Sequence, residues 1–199
     1  MHLPIPVFFI AFAVFVVILA VKRSRQTRHQ ENTNEAFLER ERQANTTRKK
    51  DISNLDYLPF SADALPLGRL SDEEISKYEE ILKNLTGKRI INLSQYSNTD
   101  LKLMYGPANL NDLSEYDDNY HTLAETLLNY AGRMASLQQY GDAIKILEYA
   151  MKLRIDSSQI YLMLARLYKE QHSPEKIKEI EDAVSSMDAS FASYVLPKL

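Results

Sequence analysis

Four histidines, His2, His29, His121 and His172, are the side chains of this sequence best suited to proton transfer or metal ligation near neutral pH. None stands at ligand spacing from another, so they suggest no metal site. Cysteine is absent. That removes thiolate metal sites and disulfides, and it fits a reducing compartment. Asp112, Glu115, Asp117 and Asp118 form an acidic cluster, but without the central Gly and closing Glu of a calcium loop they read as a solvated helix face. The chain has five Gly and neither a glycine-rich phosphate loop nor a G-x-S-x-G elbow. These residues support no catalytic, cofactor-binding or metal-ligating assignment, and no cofactor is expected. The chemistry left to the chain is that of a binding surface.

The elements that must carry such a surface follow from periodicity. Leu113, Tyr116, Tyr120, Leu123, Leu127, Tyr130, Met134 and Leu137 recur every three or four residues. That predicts one long helix from near Asn111, over about 26 residues. His121 lies beside this stripe as a half-buried packing residue. Tyr140-Gly141-Asp142 marks a turn, and further helices are expected over 142–154, 158–171 and 174–187, with Pro174 at a first helical position. Phe191, Tyr194 and Val195 predict a short closing helix. The abundant tyrosines, twelve in all, should fill gaps between helices with their hydroxyls at the edge.

Upstream, residues 71–85 make the cleanest single helix. Ser71 and Glu74 have capping-box spacing, Ile75, Tyr78, Ile81, Leu82 and Leu85 share a face, and Gly87 supplies the stop. Residues 51–67 are apolar at Ile52, Leu55, Tyr57, Leu58, Phe60, Leu65 and Leu67, yet Pro59 and Pro66 forbid a helix. So much apolar surface in an irregular segment predicts a strap packed on the helices, with a linear motif offered to a partner as the other reading. Residues 88–93 are β-prone but have no evident strand partner. Residues 99–105 read as a short helix closed by Gly106-Pro107.

The pair of hairpins has a 34-residue spacing: Leu127, Ala131, Met134 and Ala143 become Tyr161, Ala165, Tyr168 and Ile177. Small residues let two antiparallel helices approach, and large ones fill the flanks. On Leu127, Ala131, Tyr140, Ala143, Leu147 and Ala150 the segment resembles tetratricopeptide (TPR) repeats over about residues 124–190. The closing proline is replaced by Ile155-Asp156, and the second hairpin has Ile177 and Glu181 where Ala and a large apolar residue are usual. The resemblance implies a concave face from the first helix of each hairpin. Carried over residue by residue, that face holds Glu125, Leu128, Gly132 and Ala135, then Gln159, Leu162, Arg166 and Lys169. Some TPR proteins clamp a terminal carboxylate with Lys and Asn at the first-repeat positions. Leu128 and Gly132 stand there, so that clamp is not expected, whereas Arg166 and Lys169 could meet an acidic peptide.

At the other end, residues 3–21 are apolar and uncharged, a length near the roughly 20 residues that span a bilayer. Lys22, Arg23, Arg25 and Arg28 follow directly, in place of a cleavage site, so a retained anchor is expected. The same charges predict a cytosolic C-terminal domain and contact with lipid head groups. Residues 22–50 carry nine Lys and Arg against four Glu, a net of +5, and residues 51–199 a net of −8. One aromatic in the basic stretch, Phe37, argues against nucleic acid. Residues 32–50 read as a polar helical spacer that frays near Asn45. The anchor, ANTTRKKDISNLDYLPF and SNTDLKLMYG together resemble a family of uncharacterised membrane-anchored proteins of Gram-positive anaerobic bacteria, which implies architecture and organism class only.

The expected fold class is all-α, an N-terminal single transmembrane helix followed by a small TPR-like helical-hairpin domain. The divisions are 1–21 (anchor), 22–50 (basic linker), 51–70 (strap) and 71–199 (helical domain with hairpins 124–157 and 158–191). The expected function is a membrane-anchored, non-catalytic adaptor or scaffold that binds a protein partner at the cytosolic membrane face. Two alternatives stand beside it: a structural subunit acting through its anchor and oligomerisation, and a regulator or enzyme of unrecognised type.

Overall fold

The computed structural model describes residues 34–199. These fall into two compact units, one of residues 34–51 with 96–110 and one of residues 52–95 with 111–199.

In the first unit, helix α1 covers residues 34–46 and helix α3 covers Asn98–Tyr105. Residues 34–46 are not a free spacer, because charge pairs tie α1 to α3. Arg40 Nη2 lies 2.6 Å from Asp100 Oδ1, and Lys102 Nζ lies 3.0 Å from Glu41 Oε2. Thr99 Oγ1 donates to Glu41 as well. A capping box opens α3: Ser97 Oγ accepts from the Asp100 N–H at 3.2 Å, and the Asp100 carboxylate accepts from Ser97 N at 3.0 Å. These Ser97 bonds hold the Asp100 carboxyl below its usual range. Gly106 ends α3 with φ +87°, and a Cβ there would stand 2.7 Å from Arg48 O. Only glycine tolerates both the conformation and the approach. The chain at Lys50 passes over this point, donating from its N–H to Tyr105 O at 3.0 Å. Asn109 Nδ2 donates to Lys50 O and Tyr105 O, each at 2.7 Å.

The second unit is built on α2 (Glu73–Leu85), α4 (Leu110–Ser136), α5 (Tyr140–Lys152), α6 (Ser158–Glu170), α7 (Pro174–Ser185) and α8 (Ala189–Val195). The periodic stripe of α4 is its spine. Leu113, Tyr120, Leu123, Leu127, Tyr130 and Met134 are buried, Tyr116 is half-buried and Leu137 is exposed. This stripe packs with the inward faces of α5 and α6 in one core, which Ile75 and Leu82 of α2 and Phe60 and Leu65 of the strap join, and burial of such apolar surface stabilises by about 25 cal/mol per Å². The α2 helix starts one residue later than the Ser71–Glu74 pairing predicts. Asp72 is its cap and accepts from Ile75 N at 3.0 Å.

The 34-residue spacing recurs in backbone geometry. Gln138 and His172 close α4 and α6 with φ of 61° and 57°. Behind them Gln139 N donates to Met134 O at 2.9 Å, and Ser173 N to Tyr168 O at 3.1 Å. These are the longer bonds of a Schellman-type helix end. Leu127 and Tyr161, Ala131 and Ala165, Met134 and Tyr168, and Ala150 and Val184 are each buried in both hairpins. The pairing fails at Leu147 and Glu181, where the second is exposed.

The proline-broken strap packs on this unit, which removes the reading of it as a free linear motif. Ile52, Phe60, Ala62 and Leu65 are buried. Leu58 N donates to Ile90 O at 2.8 Å, and the Tyr149 hydroxyl donates to Ser61 O at 3.1 Å while accepting from Ser61 N at 3.0 Å. Residues 88–93 bury Ile90, Ile91 and Leu93 but make no strand. Their backbone groups are met singly, by Tyr116 O, Asn119 Nδ2 and Asp117 Oδ1 of α4, so no ladder develops.

The expected membrane span is corrected. No helix among the described residues is long and apolar enough to cross a membrane. The helices there are amphipathic: α4, the longest, carries Asp112, Glu115, Asp117, Asp118, Glu125 and Arg133. The segment at 3–21 lies outside the described residues, as do Lys22, Arg23, Arg25 and Arg28. The fold class the structure supports is all-α, with no strand among the described residues.

Candidate partner-binding groove

Because its stripe faces the core, α4 leaves an opposite row outward: His121, Ala124, Glu125, Leu128, Gly132, Ala135 and Ser136 are half-buried or exposed. The same happens on α6, where Ile160, Tyr161, Leu164, Ala165, Leu167 and Tyr168 are buried and Gln159, Leu162, Met163 and Arg166 are not. Between these rows lie two hollows that share Leu128. One, of about 460 Å³, is bordered by Leu128, Asn129, Gly132, Arg133 and Ser136 of α4, Met163 of α6, and Glu74 and Tyr78 of α2. The other, of about 490 Å³, is bordered by Tyr120, His121, Ala124, Glu125 and Leu128, then Asp156, Ser157, Gln159 and Ser94. No residue of the 51–67 strap borders either. The strap instead runs against α5, α4 and α2, where Ser61 O accepts from Tyr149 at 3.1 Å, Pro66 O accepts from Tyr130 at 3.0 Å and Gly68 N donates to Glu79 at 2.7 Å.

Of the eight residues expected on the concave face, Glu125, Leu128, Gly132 and Gln159 border these hollows. Ala135 and Leu162 are half-buried beside them. Arg166 is exposed, with Nε 3.9 Å from Glu170 Oε1. Lys169 borders a separate hollow of about 610 Å³ with His172, Pro174, Ile177, Lys178 and Glu181, and its Nζ donates to Leu199 O. The structure therefore does not bring Lys169 to the groove that holds Leu128. Glu74 and Tyr78 were missed because nothing in the sequence of α2 tells which helix it lies against, and Arg133 and Met163 because each is one residue beyond a position carried over from the repeat resemblance, Gly132 and Leu162.

The walls are held by defined pairs. Arg133 reaches α2 with Nε 3.2 Å from Asp72 Oδ1, Nη2 2.6 Å from Asp72 Oδ2, and Nε 3.1 Å from Glu74 Oε2. The Arg133 hydrogen bond, joined by the Ile75 N–H, lowers the Asp72 carboxyl to about 2. Beneath the groove, Tyr130 donates between Pro66 O and Glu79 Oε1, the latter 3.2 Å away. Burial raises Tyr130, and the Glu79 charge adds to it. At the far end Tyr120 donates to Asp156 and accepts from Asp156 N at 2.9 Å, and Asn92 Nδ2 meets the other carboxylate oxygen at 2.7 Å. Burial also pushes Tyr161 up to about 12. These hydroxyls stay protonated and serve as fixed donors.

Among the described residues no group of three His, Asp or Glu is placed to hold a metal ion. In the acidic cluster of α4, Asp117 is engaged in structure, accepting from Leu93 N at 2.7 Å. His121 is exposed rather than half-buried, with Nε2 3.5 Å from Asp117 Oδ2. The arrangement offers two adjoining, partly apolar hollows with polar rims. No family model, no curated protein and no solved structure matches this chain.

Proposed function

We propose that the second unit is a non-catalytic adaptor that holds a protein partner along the outward row of α4. The observation that carries this reading is the open groove at Leu128 and Gly132, which the strap leaves unfilled. A closed face would favour a purely structural subunit; an open one with apolar Leu128, Tyr78 and Met163 favours capture of a partner. The repeated turn geometry at Gln138 and His172 supports a TPR-like arrangement of the two hairpins. Its place at the cytosolic face of a membrane rests on the basic residues Lys22, Arg23, Arg25 and Arg28 of the sequence, and no described helix contributes to it.

Photocrosslinking of the full-length chain in its native cells tests the reading. A photoreactive residue at Leu128 is expected to capture another protein, and one at Lys145, exposed on α5, is not. Capture of nothing but a second copy of the chain from Leu128 would replace the adaptor with the self-assembling structural subunit.

A further inference from the structure

By the 34-residue spacing α7 repeats α5, and α8 stands where a helix like α6 would follow. On α5, Ala143, Ile144 and Leu147 are buried. Their counterparts on α7 are Ile177, half-buried, and Lys178 and Glu181, both exposed. The difference follows from the length of the covering helix. The α6 helix, which packs on α5, has 13 residues and is about 20 Å long; α8, which packs on α7, has 7 and is about 10 Å long. Val195 takes the buried place that Leu127 and Tyr161 hold in the two hairpins, and α8 ends there. Beyond its reach is the hollow of about 610 Å³. Pro174, Ile177, Lys178 and Glu181 run along it as one stripe of α7, at the spacing of a single helix face.

The stripe carries one charge of each sign, both unanswered. On the neighbouring face of α7, Lys176 and Glu179 pair at 2.8 Å. Lys178 and Glu181 have no ion-pair partner among the described residues. Lys169 and His172 border the hollow from the α6 side, and Lys169 Nζ donates to Leu199 O. Glu175 and Asp182 are exposed on α7 but border no part of the hollow. An occupant of one sign would answer one of Lys178 and Glu181 and oppose the other. A second copy of the same stripe, turned about a two-fold axis, answers both: Lys178 meets the partner's Glu181, and Glu181 meets the partner's Lys178. Ile177 of each copy is then withdrawn from water.

We infer that two copies of this chain associate through α7, antiparallel about a two-fold axis that passes between Lys178 and Glu181. This goes beyond the adaptor reading. The α7 hollow shares no bordering residue with the two at Leu128, so either conclusion can fail without the other. The chain has no cysteine, so one introduced as Asp182→Cys reports on contact between copies while leaving the stripe intact. In the full-length protein in its native cells, a short bismaleimide is expected to join two copies through this cysteine. The same reagent should join none through Lys145→Cys, on the exposed side of α5. Lys178→Glu and Glu181→Lys, each added to Asp182→Cys, should lose the crosslinked dimer, and the two together should regain it. Both side chains are exposed, so all three variants should keep the wild-type circular dichroism spectrum. Absence of a dimer from Asp182→Cys, or capture of a different protein in its place, would overturn the inference. So would a dimer that both single charge reversals leave intact.

Discussion

Arg133 grips both carboxylate oxygens of Asp72, at 3.2 and 2.6 Å, and Asp72 is at the same time the residue that caps α2. One carboxylate thus starts a helix and fastens it to α4. In the folded state it is lowered to about 2, below the usual range near 4. As pH falls, the unfolded chain takes up its proton first, so this contribution is complete above about pH 5 and is lost between roughly pH 4 and 2. Asp72→Asn keeps a capping oxygen but removes the charge. The stability difference between wild type and Asp72→Asn, read from urea midpoints across pH, should be constant near neutrality and shrink below about pH 4. A difference that grows on acidification would contradict the assignment.

Tyr130 is fully buried, and its hydroxyl serves the strap carbonyl of Pro66 and the buried carboxylate of Glu79. Tyr130→Phe leaves both acceptors short of a donor in a dry site, which should cost about 1–3 kcal/mol in chemical denaturation. Because Glu79 also holds Gly68 N, hydrogen exchange at Gly68 should quicken in the same variant. Unchanged exchange there would separate the strap from the tyrosine.

Two glycines should respond to alanine with opposite sign. Gly106→Ala puts a Cβ within 2.7 Å of Arg48 O at φ +87°, and should destabilise by about 1–3 kcal/mol. Gly132→Ala meets no neighbour among the described residues and gains helix propensity, so it should stabilise by about 0.5–1 kcal/mol. Thermal melts of the two variants decide it, and a loss of stability in Gly132→Ala would mean the floor of the groove is already filled.

Leu127 and Leu128 are neighbours with different duties. Leu127 is fully buried in the core, and Leu128 is half-buried at the groove. Leu127→Ala should cost about 2–5 kcal/mol through lost transfer energy and a cavity. Leu128→Glu should leave the urea midpoint near wild type while abolishing crosslinks from a photoreactive group at Gln159. Comparable destabilisation by both would make Leu128 a core residue.

Much of this architecture was legible beforehand. The α4 stripe, the start of α7 at Pro174 and the end of α3 at Gly106 follow from periodicity, and from residues that permit or forbid a backbone shape locally. The turn expected at Tyr140-Gly141-Asp142 falls earlier, around Gln138 with its φ of 61°, and those three residues form the first turn of α5. The 34-residue echo was readable for the same reason. The cap of α2 was misplaced by one residue because Ser71 and Asp72 both have capping chemistry, and the choice fell to Asp72, which alone meets Arg133 from 61 positions away. The groove was half legible: Glu125, Leu128, Gly132 and Gln159 border it, while Lys169 was assigned there and lies elsewhere.

By itself the sequence determined which segments are helical and which face of each is apolar, since these depend on residue type and near-neighbour spacing. Only the tertiary structure decided what each face is buried against. It set α2 beside Gly132, sent the strap across Tyr130 and Tyr149, and turned Lys169 to another hollow. The physical reason is that burial is non-directional. An apolar stripe requires cover but does not specify its partner, and that choice is made by contacts such as Tyr130–Glu79 across 51 residues of chain.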